Sequence, residues 1–301
     1  MERYIQEFQA SDSLLEELVA DRRQEVEALQ KAEAERLKDL EDRGKQQLKS
    51  LQDSLGAEIA STLKTLAKSH TAAEKDTETR VEQIRARFSS VELPIAAPKE
   101  HPGFVFSDLA APHTSGWITP YYATFHGSDG SVYWQGYNPG NFDLDVWATG
   151  AGSGLFGTGA GSFTAYIDWW FNFRPDATKF YAHNIYVPFY GFYILIANDG
   201  FWDSKEARAR IDLSTRGYQY GYKPQASNNL FNNGGDNINV NDRFDGWRTM
   251  YYGALLAGGD QAYLLVSSSF HVYARGGGSH AEFNFSSGSA NYIGVPWVYW
   301  S

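Results

Sequence analysis

The chain has 301 residues, no cysteine, and 26 basic against 36 acidic side chains. Without thiols there are no disulfides, no thiolate metal sites and no cysteine nucleophile. A net charge of −10 offers no basic footprint for a phosphate backbone, so no nucleic-acid partner is expected.

No stretch reaches the roughly 18 consecutive apolar residues of a membrane span. The first residues also lack the basic-then-apolar order of a Sec-type signal, so a cytoplasmic location or a non-Sec route, such as assembly into a virion or injection particle, is expected. Composition divides the chain: of its 47 aromatic residues only Tyr4, Phe8 and Phe88 fall among the first 99.

Residues 1–12 read as a short N-terminal tip. Ser13, with Glu16 three positions on, forms a capping box that starts a long helix. Over residues 13–91 the apolar residues recur every eleven positions. One row holds Leu15, Val26, Leu37, Leu48, Ile59, His70 and Val81; a second holds Leu18, Leu29, Leu40, Leu51, Thr62, Ala73 and Ile84; a third holds Arg22, Glu33, Gly44, Leu55, Leu66, Thr77 and Phe88. Eleven residues is about 3.67 per turn, the repeat of a right-handed seam.

This pattern predicts a hendecad coiled-coil stalk, continuous through Gly44 and Gly56, whose core gathers copies of the chain into a homo-oligomer, expected to be a trimer. On that reading His70 converges on the axis and fixes register. Residues 92–103, with Pro94, Pro98 and Pro102, form a linker that cannot continue the helix.

From residue 104 the period becomes two. Some dozen short runs rich in Tyr, Trp, Phe, Ile and Val, separated by turn residues, predict an all-β antiparallel sandwich, jelly-roll-like, over 104–301. The Gly-rich run 150–161 lies between strands, with no following helix and no Lys, so it is an inter-strand loop and not a nucleotide cradle.

Two groups in this head attract attention. Trp134, Tyr137, Trp202 and Trp247, close to Asp199 and Asp203, carry the residue types that stack on sugar rings and accept their hydroxyls. The Asn-rich stretch 228–242 is expected to be a surface loop whose side chains cap its own turns, with no cofactor; the alternative is a Ca²⁺ site with oxygens from Asp236, Asn237, Asn239, Asn241 and Asp242. His183, His271 and His280 stand singly, and no nucleophile elbow is present; catalysis is therefore not expected.

The expectation is a structural or recognition protein that presents its heads to a glycan or surface partner. The alternatives are a filament or surface-layer subunit and a polysaccharide-degrading enzyme acting through Asp199 or Asp203.

Overall fold

A computed structural model describes residues 13–91, 116–127, 141–198, 204–288 and 290–301. The tip at 1–12 and the linker at 92–103 lie outside the described residues. The N-terminal part is two helices, α1 (Ser13–Leu55) and α2 (Ala57–Ser89). The break falls at Gly56, whose φ of 66° and ψ of −153° belong to a region that glycine alone enters readily. The continuous helix expected from the unbroken register is thus corrected: the repeat passes through Gly56, but the backbone does not.

The C-terminal part is a sandwich of two antiparallel sheets. Its strands are β1 (Gly116–Ile118), β2 (Tyr122–Gly127), β3 (Asn141–Phe142), β4 (Asp145–Thr149), β5 (Ala160–Phe173), β6 (Lys179–Ala197), β7 (Glu206–Tyr218), β8 (Ala226–Asp236), β9 (Ile238–Phe244), β10 (Trp247–Leu256), β11 (Ala262–Arg275), β12 (His280–Asn284), β13 (Tyr292–Gly294) and β14 (Trp297–Trp300). One sheet runs β2-β5-β11-β7-β8. The other is built on β6, a strand of 19 residues. Along one edge β6 pairs first with β10 and then with β9; along the other it pairs with β14, β13 and β12, which lead on to β1, β3 and β4.

Alternation along the strands decides what fills the space between the sheets. Ile167, Trp169 and Phe171 of β5, Ile185, Val187 and Leu195 of β6, and Leu264, Val266 and Phe270 of β11 all point inward and are buried. His183 joins them at 1% exposure, with its ring 5.3 Å from that of Phe173 and 5.8 Å from that of Tyr252. Burial penalises the imidazolium and pushes this histidine down to about 4. A folded-state value below the unfolded one stabilises the protein above pH 6.5 and loses that contribution as pH falls toward 4. His183→Phe is expected to flatten the fall in thermal midpoint across this window, which is worth about 3 kcal/mol at most; identical profiles for the two proteins would refute the assignment.

The eleven-residue seam packs on the chain's own sandwich. Leu15 and Leu18 sit on Trp170, Tyr263 and Leu265, on the outer face of the five-stranded sheet. On the opposite sheet, Val81, Ile84 and Phe88 cover Phe192, Ile194 and Ile196. The two helices therefore straddle the sandwich, one on each outer face, like the arms of a clip.

The third row of the seam supplies the matching polar contacts. Arg22 reaches buried Asp168 at 3.0 Å, Glu33 lies 3.5 Å from His271, and Thr77 donates to the Gly278 carbonyl at 2.8 Å. Gly44 is buried against the Gly-rich loop, where an added Cβ would stand 2.6 Å from the Phe156 carbonyl oxygen. His70, expected on an oligomer axis, is buried at 5% exposure beside Gly277 of its own sandwich.

The remaining seam residues vary in burial. Val26 is fully buried, Leu37, Leu40, Leu48 and Leu51 are half-buried, and Leu29 is 47% exposed. The side chains of Leu55, Ile59 and Leu66 lie outside the described residues.

Candidate functional site

The helices leave one part of the nine-stranded sheet uncovered by the seam residues just described. Here β1, β14, the first half of β6 and β10 lie side by side, with Trp117 opposite Tyr299, Trp297 opposite Tyr186, and Tyr251 opposite Asn184. Alternation turns Val298, Trp300, Ile185 and Met250 into the core and leaves Trp117, Trp297, Tyr299, Tyr186, Trp247 and Tyr251 on the outer face.

These rings hold one another. Trp117 lies 5.0 Å from Tyr299, 5.5 Å from Tyr186 and 6.2 Å from Trp297, while Trp247 lies 5.4 Å from Trp297. The Trp117–Trp297 pair is edge-to-face at 85°, an arrangement that the ring quadrupoles favour. Each of the five is half-buried, so part of every ring still meets solvent.

Tyr251, Phe180 and Leu255 extend the patch and are far more open, at 60%, 60% and 61% exposure. Asn184 and Thr249 are the amide and hydroxyl set among these rings, and no charged residue occupies the outward positions of these four strands.

Of the candidates read from the sequence, Trp247 belongs to this face. Trp134, Tyr137, Asp199, Trp202 and Asp203 lie outside the described residues. Trp117, Tyr186, Trp297 and Tyr299 were not singled out as binding residues. Their signal was the alternation Trp297-Val298-Tyr299-Trp300, which marks one set of rings as core and the other as outward without saying which.

The Asn-rich stretch is not a loop. Residues Ala226–Asp236 and Ile238–Phe244 form strands β8 and β9, joined through Asn237 at a φ of 50°. Asn tolerates that left-handed conformation better than most residues. Strand alternation sets Asn239 and Asn241 on one face and Asp242 on the other, with Asp236 at the end of β8. Asn241 accepts a hydrogen bond from Arg87 of α2. Among the described residues no group of three or more His, Cys, Asp or Glu is placed to hold a metal ion.

A second polar cluster lies where α2 crosses β12 and β4. Glu282 is fully buried and accepts from Arg85 Nε at 2.9 Å, Asn284 Nδ2 at 3.1 Å and the His280 ring at 2.7 Å. Burial alone would raise its pKa, but the bonds and charges of His280 and Arg85 overcome that and hold it well below the usual carboxylate range. Neighbouring Asp145 is pushed the other way, by burial first and then by the charge of Glu282. The two neighbouring carboxyl groups are thus shifted in opposite directions beside a single guanidinium. A groove of ≈ 460 Å³ opens next to this cluster, between Glu78 and Glu82 of α2 and Trp147, Thr149 and His280 of the sheet. The Arg85 guanidinium stands 5.8 Å over the Trp147 ring, so this indole already has a partner.

No family model matches the sequence, and no curated protein is similar to it. Some solved structures are similar at a low level. TmCBM61 in complex with beta-1,4-galactotriose is 11% identical with a TM-score of 0.20, covering 62% of this chain and 89% of that one. Isomalto-dextranase of Arthrobacter globiformis T6 complexed with panose is 12% identical with a TM-score of 0.22, over 62% of this chain and 23% of that one. The enzymatically active domain of tailspike protein 4 of Bacteriophage CBA120 is 13% identical with a TM-score of 0.18, over 63% and 20%. This chain spans less than a quarter of the latter two. Scores this low carry no argument about what it binds.

Proposed function

We propose that this protein is a recognition protein that binds a neutral glycan on the aromatic face of β1, β14, β6 and β10, without turning it over. The observation that supports this most is the composition of the face: half-exposed indole and phenol rings, one amide, one threonine hydroxyl and no charge. Sugar rings present C–H faces that stack on indoles, while their hydroxyls need amide, hydroxyl and phenol partners, and a ligand without charge leaves none unpaired on this surface. Several copies acting together would raise the effective affinity without improving any one site.

The test is a panel of neutral and acidic polysaccharides in affinity electrophoresis, run with the wild type, Trp247→Ala and Trp297→Ala. The wild type is expected to bind one or more neutral glycans with little dependence on salt. Each alanine variant should weaken binding by about tenfold or more, roughly 1.4 kcal/mol, with unchanged circular dichroism. Binding to acidic glycans alone, or binding that both variants retain in full, would overturn the proposal.

A further inference from the structure

Strand β10 pairs with β6 along its whole length, from Trp247 opposite Pro188 to Leu256 opposite Lys179, with no shift of register. Among the described residues no strand pairs with its other edge. A sheet edge of this kind presents a row of unpaired backbone donors and acceptors, and proteins usually blunt it with charge, proline, a bulge or a cover. Here the ten residues hold no proline, no bulge and one charge, Arg248, next to the start. Thr249, Tyr251 and Leu255 stand exposed along it, with Phe180 beside them on β6.

The strand is also complementary to itself. If two copies of β10 run antiparallel about a twofold axis at Tyr251, Trp247 faces the partner's Leu255, Thr249 faces the partner's Gly253, and Tyr251 faces its own copy. Arg248 then faces the partner's Ala254, so no like charges meet. We propose that two copies of this chain join edge to edge through β10, forming a twofold dimer in which the two β6-centred sheets become one.

An axis perpendicular to the sheet keeps both outer faces on the same side. The two aromatic clusters would then share one surface, which is the geometry that simultaneous engagement of a long ligand requires. The pairing itself stands on the strand edge and does not depend on what the face binds, and its test reads mass and cross-linking without any ligand.

Light scattering on the full chain is expected to give twice the 33.7 kDa chain mass. The variant Thr249→Lys/Leu255→Lys, which crowds four ammonium groups around the axis, should return it to the single-chain mass with unchanged circular dichroism. The chain contains no cysteine, so single-cysteine variants report without background. Tyr251→Cys, directly opposite its own copy at a Cβ separation of about 5 Å, should form an intermolecular disulfide under mild oxidation in higher yield than Thr249→Cys. A single-chain mass at high concentration would overturn the proposal. So would an oligomer that keeps its mass in the double-lysine variant, or one in which Cys at 251 does not cross-link.

Discussion

Arg22→Met should lower the free energy of unfolding by about 3–5 kcal/mol, the usual cost of removing one partner of a buried ion pair. Asp168 has no exposure, and Arg22 meets it through Nε at 3.0 Å while reaching Ser267 Oγ at 2.9 Å. Burial by itself would lower the Arg22 pKa, but the Asp168 carboxylate more than restores it. Without the guanidinium, Asp168 is left as a buried anion or must take up a proton. Arg85→Met should cost less, on the order of 2 kcal/mol, because Glu282 keeps its bonds from His280 and Asn284. Chemical denaturation with Arg22→Met/Asp168→Leu as a control decides the matter: the double variant should recover most of the loss. A loss below about 1 kcal/mol for Arg22→Met would mean that α1 does not rest on this sheet in solution.

The second large effect concerns the sandwich alone. A chain starting at residue 104 uncovers Trp170, Tyr263 and Leu265 on one outer face and Phe192, Ile194 and Ile196 on the other, and leaves Asp168 and Glu282 without their arginines. Exposed apolar patches on both faces favour association over solution. Such a fragment should be insoluble, or soluble only with a dye-binding, loosely packed interior and no near-ultraviolet dichroism. A fibre head separable from its stalk would behave oppositely, unfolding cooperatively at the midpoint of the full chain. That outcome would remove the helices from the folding unit.

The period of the seam was legible from Leu15 to Phe88, and so was the change to alternation beyond residue 104. What covers the seam was not legible, because a periodic stripe identifies the buried face of a helix and not its partner. The informative residues were the polar ones in the third row. Arg22, Glu33, Gly44 and Thr77 suit a symmetric core poorly, yet each finds a specific partner on the sandwich.

Strand limits were blurred where tertiary pairing overrides local preference. Pro188 and Gly191 are residues that ordinarily interrupt a strand, yet β6 runs through both. The Asn- and Gly-rich run around Asn233 suggested a loop, where pairing of β8 with β7 and of β9 with β6 makes two strands that cross from one sheet to the other. The aromatic face was legible only at Trp247, since its rings come from four strands far apart in sequence.

The clip also sets an order of events during synthesis. Both helices leave the ribosome before any strand exists, and the last strand under α2, β12, lies nearly two hundred residues after Arg85. For that interval the seam is bare, and a wide apolar stripe on a nascent chain invites association with its neighbours. Arg22 and Glu33 break the apolar third row with charge, and in the finished protein Arg22 pairs with Asp168 while Glu33 lies beside His271. Arg22 and Glu33 therefore interrupt the apolar stripe before the sheets exist and meet the sandwich once they have formed.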